Sequence, residues 1–120
     1  MTEQERTPFV ASCPNCGERR ETETPNEVIA FYRRHRALTG HDVEWEIADV
    51  ESIRETTEGA DLKAVVLELG EEYEDGVPLG LVTAAMGEQG RTVGETLDDL
   101  RELRMTGHVW EPKDDHVSAF

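Results

Sequence analysis

Lysine, cysteine and long apolar runs are all scarce in this chain of 120 residues. Lys63 and Lys113 are the only lysines among 12 basic residues, against 27 acids, for a formal charge of -15. In so acidic a chain, an anion-facing surface can arise only where basic residues gather locally. No run of ~18 apolar residues is present, which excludes a membrane-spanning helix. The polar start, MTEQERTPFV, does not read as a signal peptide, so the expected location is cytoplasmic. Leu, Ile, Val and Phe make up 26 residues, just above the level at which chains fail to bury enough apolar area. A fold with a lean core is expected, and a bound metal would help it. The length suits one ordinary domain or two very small ones.

Charge is unevenly placed. Residues 1–41 hold six acids and six bases, whereas residues 42–120 hold 21 acids and six bases. Two segments of different character follow from this. The acid-rich, lysine-poor composition is similar to that of proteins from salt-accumulating extreme halophiles. That resemblance implies acidity as a solubility adaptation to molar salt, which says little about partners.

The first segment opens with a short strand at Phe9–Ser12, followed by a tight Cys13-Pro14-Asn15-Cys16-Gly17 turn and a second strand within Glu18–Glu23. A helix then begins at Thr24 as N-cap, with Pro25 at its first position and Glu27 three residues after the cap. Its body runs over Val28–Leu38, and Gly40 stops it. His41–Val50 alternates Val43, Trp45 and Ile47 with acids, the period of a half-buried strand. Glu51–Ala60 is polar and reads as a linker.

The second segment has three helices. Leu62, Val65, Val66, Leu69 and Tyr73 form one helical stripe, broken by Gly76. After a strand stub at Val77, Pro78 opens a short helix that points Leu79, Val82 and Met86 inward. Thr92 and Glu95 form a capping box for the third, which carries Val93, Leu97, Leu100 and Leu103 and ends at Gly107. His108–Glu111 and His116–Ala119 then flank a four-residue turn as a hairpin. The reading is an α+β chain: a ββαβ zinc-knuckle module at residues 1–50, a linker at 51–60, and a winged helix-turn-helix at 61–120.

Cys13 and Cys16 form C-x2-C, and His35 and His41 extend it to C-x2-C-x18-H-x5-H. Two thiolates at this spacing aim at one ion, and the turn between them offers backbone N–H groups to their charge. The pattern over residues 9–41 resembles a two-Cys, two-His zinc finger, with strand, knuckle, strand and a helix supplying a histidine. The resemblance implies Cys13, Cys16, His35 and His41 as the ligands of a structural zinc; the long middle segment, Glu18–Asn26, departs from the family's spacing. Two alternatives stay open on the residues alone: a redox pair, or purely structural cysteines with His35 in the core beside Val28, Phe31 and Leu38.

Arg19, Arg20, Arg33, Arg34 and Arg36 put half of the ten arginines within residues 19–36. The guanidinium fork suits phosphate, so the cluster is a candidate nucleic-acid contact; the alternative is a solvated face neutralised by Glu18, Glu21, Glu23 and Glu27. In the second segment, LGEEYEDGVP at Leu69–Pro78 and LRELRMTGHVWEP at Leu100–Pro112 resemble the C-terminal winged-helix domain of archaeal minichromosome maintenance helicases. No G-x-x-x-x-G-K-[ST] loop is present, so no helicase motor is implied. A winged helix commonly reads DNA with its third helix, but here that helix carries Glu95, Asp98, Asp99 and Glu102 outward, which phosphates repel. Trp110 and Phe120 are expected to seal the hairpin onto the core, or else to anchor a partner. His108 and His116 are expected to face each other across the hairpin, too few for a metal site. With no catalytic constellation, the chain reads as non-enzymatic and without a small-molecule substrate. The expected function is a DNA-associated regulatory factor, the alternative a protein–protein adaptor for replication or transcription machinery.

Overall fold

The computed structural model of the chain describes residues 9–48 and 61–120, so the linker expected at 51–60 lies outside the described residues. In chain order the elements are β1 (Phe9–Ser12), β2 (Arg19–Thr22), α1 (Pro25–Thr39), β3 (Glu44–Ala48), α2 (Leu62–Gly70), β4 (Val77–Pro78), α3 (Leu79–Gly87), α4 (Val93–Met105), β5 (Val109–Trp110) and β6 (His116–Ala119). Two small antiparallel sheets, ordered β2-β1-β3 and β4-β6-β5, make this an α+β fold, as expected. Among the described residues no helix is long and apolar enough to cross a membrane.

β1 is the central strand of the first sheet, and its Phe9, Val10 and Ala11 are all buried. The third strand departs from the simple alternation expected of it. Val10 pairs with Ile47 but Ala11 pairs with Trp45, so Glu46 is an extra residue and the register shifts. A bulge of this kind re-aims the side chains beyond it. Trp45 and Ala48 end on the face of Phe9 and Ala11, where the Phe9 and Trp45 rings meet edge to face at 6.0 Å. Ile47 goes to the other face and stays exposed.

α1 lays Val28, Ile29, Phe31 and His35 inward; Leu38, expected on the same face, is 73% exposed in the last turn. Thr24 occupies the N-cap position, but its hydroxyl caps nothing. Its carbonyl instead accepts from the Glu27 N–H at 3.3 Å and from the Thr22 hydroxyl at 3.0 Å. Gly40, at φ 79°, ends the helix in the left-handed region.

α2 is capped by Asp61, whose carboxylate accepts from the Ala64 N–H, and it stops at Gly70. Tyr73 therefore lies beyond the helix, in a run of turns, although it still packs on the core. α4 carries the Thr92–Glu95 capping box complete. The hairpin forms in the expected place, with Val109 opposite Ala119 and Trp110 opposite Ser118. His108 and His116 do not face each other: His116 pairs with Pro78 on β4, and the His108 carbonyl accepts from the Phe120 N–H. Trp110 and Phe120 do not seal the hairpin either. Alternation gives the inward position to Val109, and the two rings lie 6.3 Å apart at the surface, 45% and 72% exposed.

The centre of the molecule is α3, every residue of which from Gly80 to Met86 is buried. A one-sided stripe was the sequence expectation; a helix apolar all round belongs in a core instead. α1 packs on one side of it and α2 and α4 on others, so a single hydrophobic cluster runs from Phe9 and Val28 to Leu100 and Val117. Its small side chains permit close approach. A Cβ at Gly80 would stand 2.1 Å from the Pro25 carbonyl oxygen, which leaves room for glycine alone.

Candidate metal centre and basic surface

The Cys13–Gly17 turn is closed by two backbone bonds, Gly17 N–H to the Cys13 carbonyl and Cys13 N–H to the Glu18 carbonyl, both 2.8 Å. Gly17, at φ 79°, supplies the left-handed residue that the turn needs. Both sulfurs thereby come out on the side of α1. His35 reaches them from the penultimate turn of α1, and His41 from just past the Gly40 stop. Thr39 ties the two histidines together: its hydroxyl donates to the His35 carbonyl at 2.7 Å and accepts from the His41 N–H at 3.1 Å.

One ligand atom from each of Cys13, Cys16, His35 and His41 lies within 4.8 Å of the other three. The cysteines are not joined in a disulfide. Cys13 Sγ is 3.6 Å from His41 Nδ1, and Cys16 Sγ is 3.5 Å from His35 Nε2. A tetrahedral zinc with ordinary Zn–S and Zn–N bonds would separate sulfur from nitrogen by about 3.6 Å. These residues therefore fit such an ion. Cys13 and His35 are buried, His41 is half-buried and Cys16 is exposed, so the cradle sits at the edge of the core. His35 turns its other nitrogen, Nδ1, to Glu18 Oε1 at 3.4 Å, the carboxylate partner that commonly orients a metal-bound imidazole.

The surroundings also prepare a thiolate. Burial alone raises the Cys13 thiol, but the backbone N–H groups of Cys16 and Asn15, the His35 ring and the Cys16 side chain outweigh it and bring the thiol down to about 6. The Cys16 thiol is eased by the Glu18 N–H, yet the Cys13 sulfur, burial and the charges of Cys13 and Glu18 leave it raised. A cation placed between the two sulfurs would favour the thiolate form of both.

The five arginines do not form one free patch. Arg19 is held by Glu21 at 2.7 Å and Glu46 at 3.1 Å. Arg33 makes a two-pronged pair with Asp115 at 3.0 and 2.8 Å. Arg20 lies over the Phe31 ring, 5.1 Å from its centre. Arg34, one turn beyond Phe31, is on the same flank of α1, whereas Arg36 is about 200° further round. Arg20, Arg34 and Arg36 have no acid partner among the described residues.

Three residues that the sequence reading passed over hold the segments together. Asp42, next to His41, accepts from the Gly94 N–H at 2.8 Å, the Thr92 hydroxyl at 2.6 Å and the Val43 N–H at 2.7 Å. It thus places a carboxylate at the N-terminus of α4, where the helix dipole favours it. Asn26 accepts from the Gly80 N–H at 2.7 Å and donates to the Asp115 carbonyl at 3.1 Å. Asp115, at φ 59°, offers that same carbonyl to the Leu79 N–H at 2.9 Å. Apart from the local bond to Val43, each partner is distant in the chain, Leu79 from Asp115 by 36 residues and the others by 50 or more. No spacing rule along the chain would have found them.

Residues 10–47 are similar to the family described as HVO_B0008 N-terminal, and residues 67–117 to the HVO_B0008 C-terminal domain. The first match spans all four candidate metal ligands, and the second spans α3, α4 and most of the hairpin. No curated protein and no solved structure matches the chain.

Proposed function

We propose that this chain is a zinc-folded, non-enzymatic, cytoplasmic winged-helix protein that associates with DNA as a regulatory factor through its arginine surface. The observation that carries the reading is the four-donor cradle, with sulfur–nitrogen separations of 3.5 and 3.6 Å. Zinc suits a mixed thiolate–imidazole set at tetrahedral spacing better than the harder cations, which take oxygen ligands. Four protein donors complete its coordination and leave no position for a substrate, so the ion is structural.

The winged-helix reading is supported by the order helix, stub, helix, helix, hairpin, with the stub β4 paired to β6. The likeness to the C-terminal domain of archaeal minichromosome maintenance helicases points the same way. α4 would be the reading helix, but Glu95, Asp98 and Glu102 are exposed on it and Asp99 is tied to Arg91. Phosphate contact is therefore assigned to Arg20 and Arg34. They lie on one flank of the zinc-carrying helix, and Arg20 is held in place by Phe31. A second reading, an adaptor for a protein partner, is favoured by the exposed Trp110–Phe120 pair.

Fluorescence anisotropy of the zinc-loaded chain on random-sequence duplex DNA, across a KCl series, separates them. The DNA reading expects salt-sensitive binding, lost in Arg20→Glu/Arg34→Glu, with a log–log salt slope about two units shallower in the neutral Arg20→Gln/Arg34→Gln variant. Binding that ignores these substitutions, or no binding at any salt, leaves the adaptor reading in its place.

A further inference from the structure

Away from the metal donors, α1, α4 and the hairpin enclose a cleft of about 420 Å³. That volume is in the range of small-molecule sites, ~300–1,000 Å³. Its floor is apolar: Leu100, Val109 and Val117 are buried there, and Leu79 and Leu97 complete it. Around the floor stand Arg33, Arg101, Arg104, Tyr32 and His116, with Asp98 and Glu111 the lining carboxylates.

Two of the guanidiniums are already engaged. Arg33 pairs with Asp115, and Arg104 with Glu111 at 2.5 Å. The second oxygen of Glu111 accepts from the Asp115 N–H at 2.9 Å, which joins both pairs into one frame across the hairpin turn. Arg101 and the Tyr32 hydroxyl have no partner among the described residues. Burial, with the carboxylates of Asp42 and Asp98, outweighs Arg36 and raises the Tyr32 phenol, so it remains a neutral donor. His116 donates from Nδ1 to the Asp114 carbonyl at 2.7 Å, so its ring N–H is already spent and it is not among the free donors. Two unengaged donors, Arg101 and the Tyr32 hydroxyl, over an apolar floor match an apolar body that carries an acceptor. Asp98 opposes a second negative charge and so selects a single one.

We propose that this cleft binds a small amphipathic monocarboxylate, with Arg101 holding the carboxylate and the Leu97–Leu100–Val117 floor holding an aromatic or branched apolar body. Its walls come from α1 and from α4 and the hairpin, so an occupant bridges the two halves of the molecule. The proposal is independent of the DNA reading.

The test is a titration of the zinc-loaded full chain with 1-naphthoate and with its neutral counterpart 1-naphthamide, at fixed KCl, followed by ¹H–¹⁵N chemical shifts. The naphthoate should saturate, with shifts confined to residues 32–33, 97–104 and 109–117, and bind about tenfold tighter than the amide. Arg101→Gln should bring naphthoate down to the affinity of the amide while the rest of the spectrum stays unchanged. Equal affinity for the two probes, an unaffected R101Q variant, shifts centred elsewhere, or no saturation would each overturn the proposal.

Discussion

A methyl group added at Gly94 would stand 2.6 Å from one oxygen of Asp42 and 2.8 Å from the other. The carboxylate has little freedom to retreat, since it already accepts three hydrogen bonds. Gly94→Ala should therefore destabilise the protein by ~2 kcal/mol, even though alanine is the better helix former. Gly70, at the end of α2, has nothing within 4 Å of its absent Cβ. Gly70→Ala should be neutral or stabilising by up to ~1 kcal/mol. Guanidinium denaturation of the two zinc-loaded variants checks the contrast; equal midpoints would show that Asp42 is not held as described. A glycine in a helical pattern looks alike at both positions in the sequence. The difference lies in a carboxylate 52 residues away.

At the scale of elements, the local signals carried well. The Thr92 capping box, the Gly40 and Gly107 stops, the C-x2-C knuckle and the hairpin all form where their residues point. Each is governed by chemistry within a few residues. What local pattern missed is set by neighbours distant in the chain. α3 is buried on every side because α1 covers the face that its own segment leaves open. β3 loses its alternation to a bulge at Glu46 where it pairs with β1. The end of α2 before Tyr73 is the local exception, since i to i-3 bonds from Glu71 and Glu72 tighten the chain into turns. The candidate metal site was legible for a different reason: ligand chemistry allows few residue types, and four of them stood in order. The arginine cluster was legible as composition, but not its division, because Glu46 and Asp115 approach from other elements. Asn26 tests the joint between α1 and α3. Asn26→Ala leaves the buried Gly80 N–H and the Asp115 carbonyl without their side-chain partner. It should cost ~2 kcal/mol, with zinc affinity changed by less than about threefold, as read by denaturation and by competition with a chelating dye. A large loss of zinc affinity without loss of stability would contradict the assignment of Asn26 to packing.

Across the whole molecule, one hydrophobic cluster joins the half with the candidate metal site to the acidic half. A structural zinc can contribute on the order of 10 kcal/mol to folding, comparable to the entire net stability of a small domain. His41 leads directly into Asp42, and Asp42 holds the start of α4, so loss of the ion should not stay local. With a chelator added, the amide resonances of Val28–His35 and of Leu97–Arg104 should lose their dispersion together, in one transition restored by zinc. Survival of the second group alone would show that the acidic half stands without the metal.

The coordination itself is the central claim, and zinc K-edge X-ray absorption of the intact chain, purified without chelator, addresses it most directly. One equivalent of zinc is predicted, with two sulfur neighbours at about 2.3 Å and two imidazole nitrogens at about 2.0–2.1 Å. Substoichiometric metal, an oxygen-rich shell, or a Cys13–Cys16 disulfide in place of the ion would contradict it.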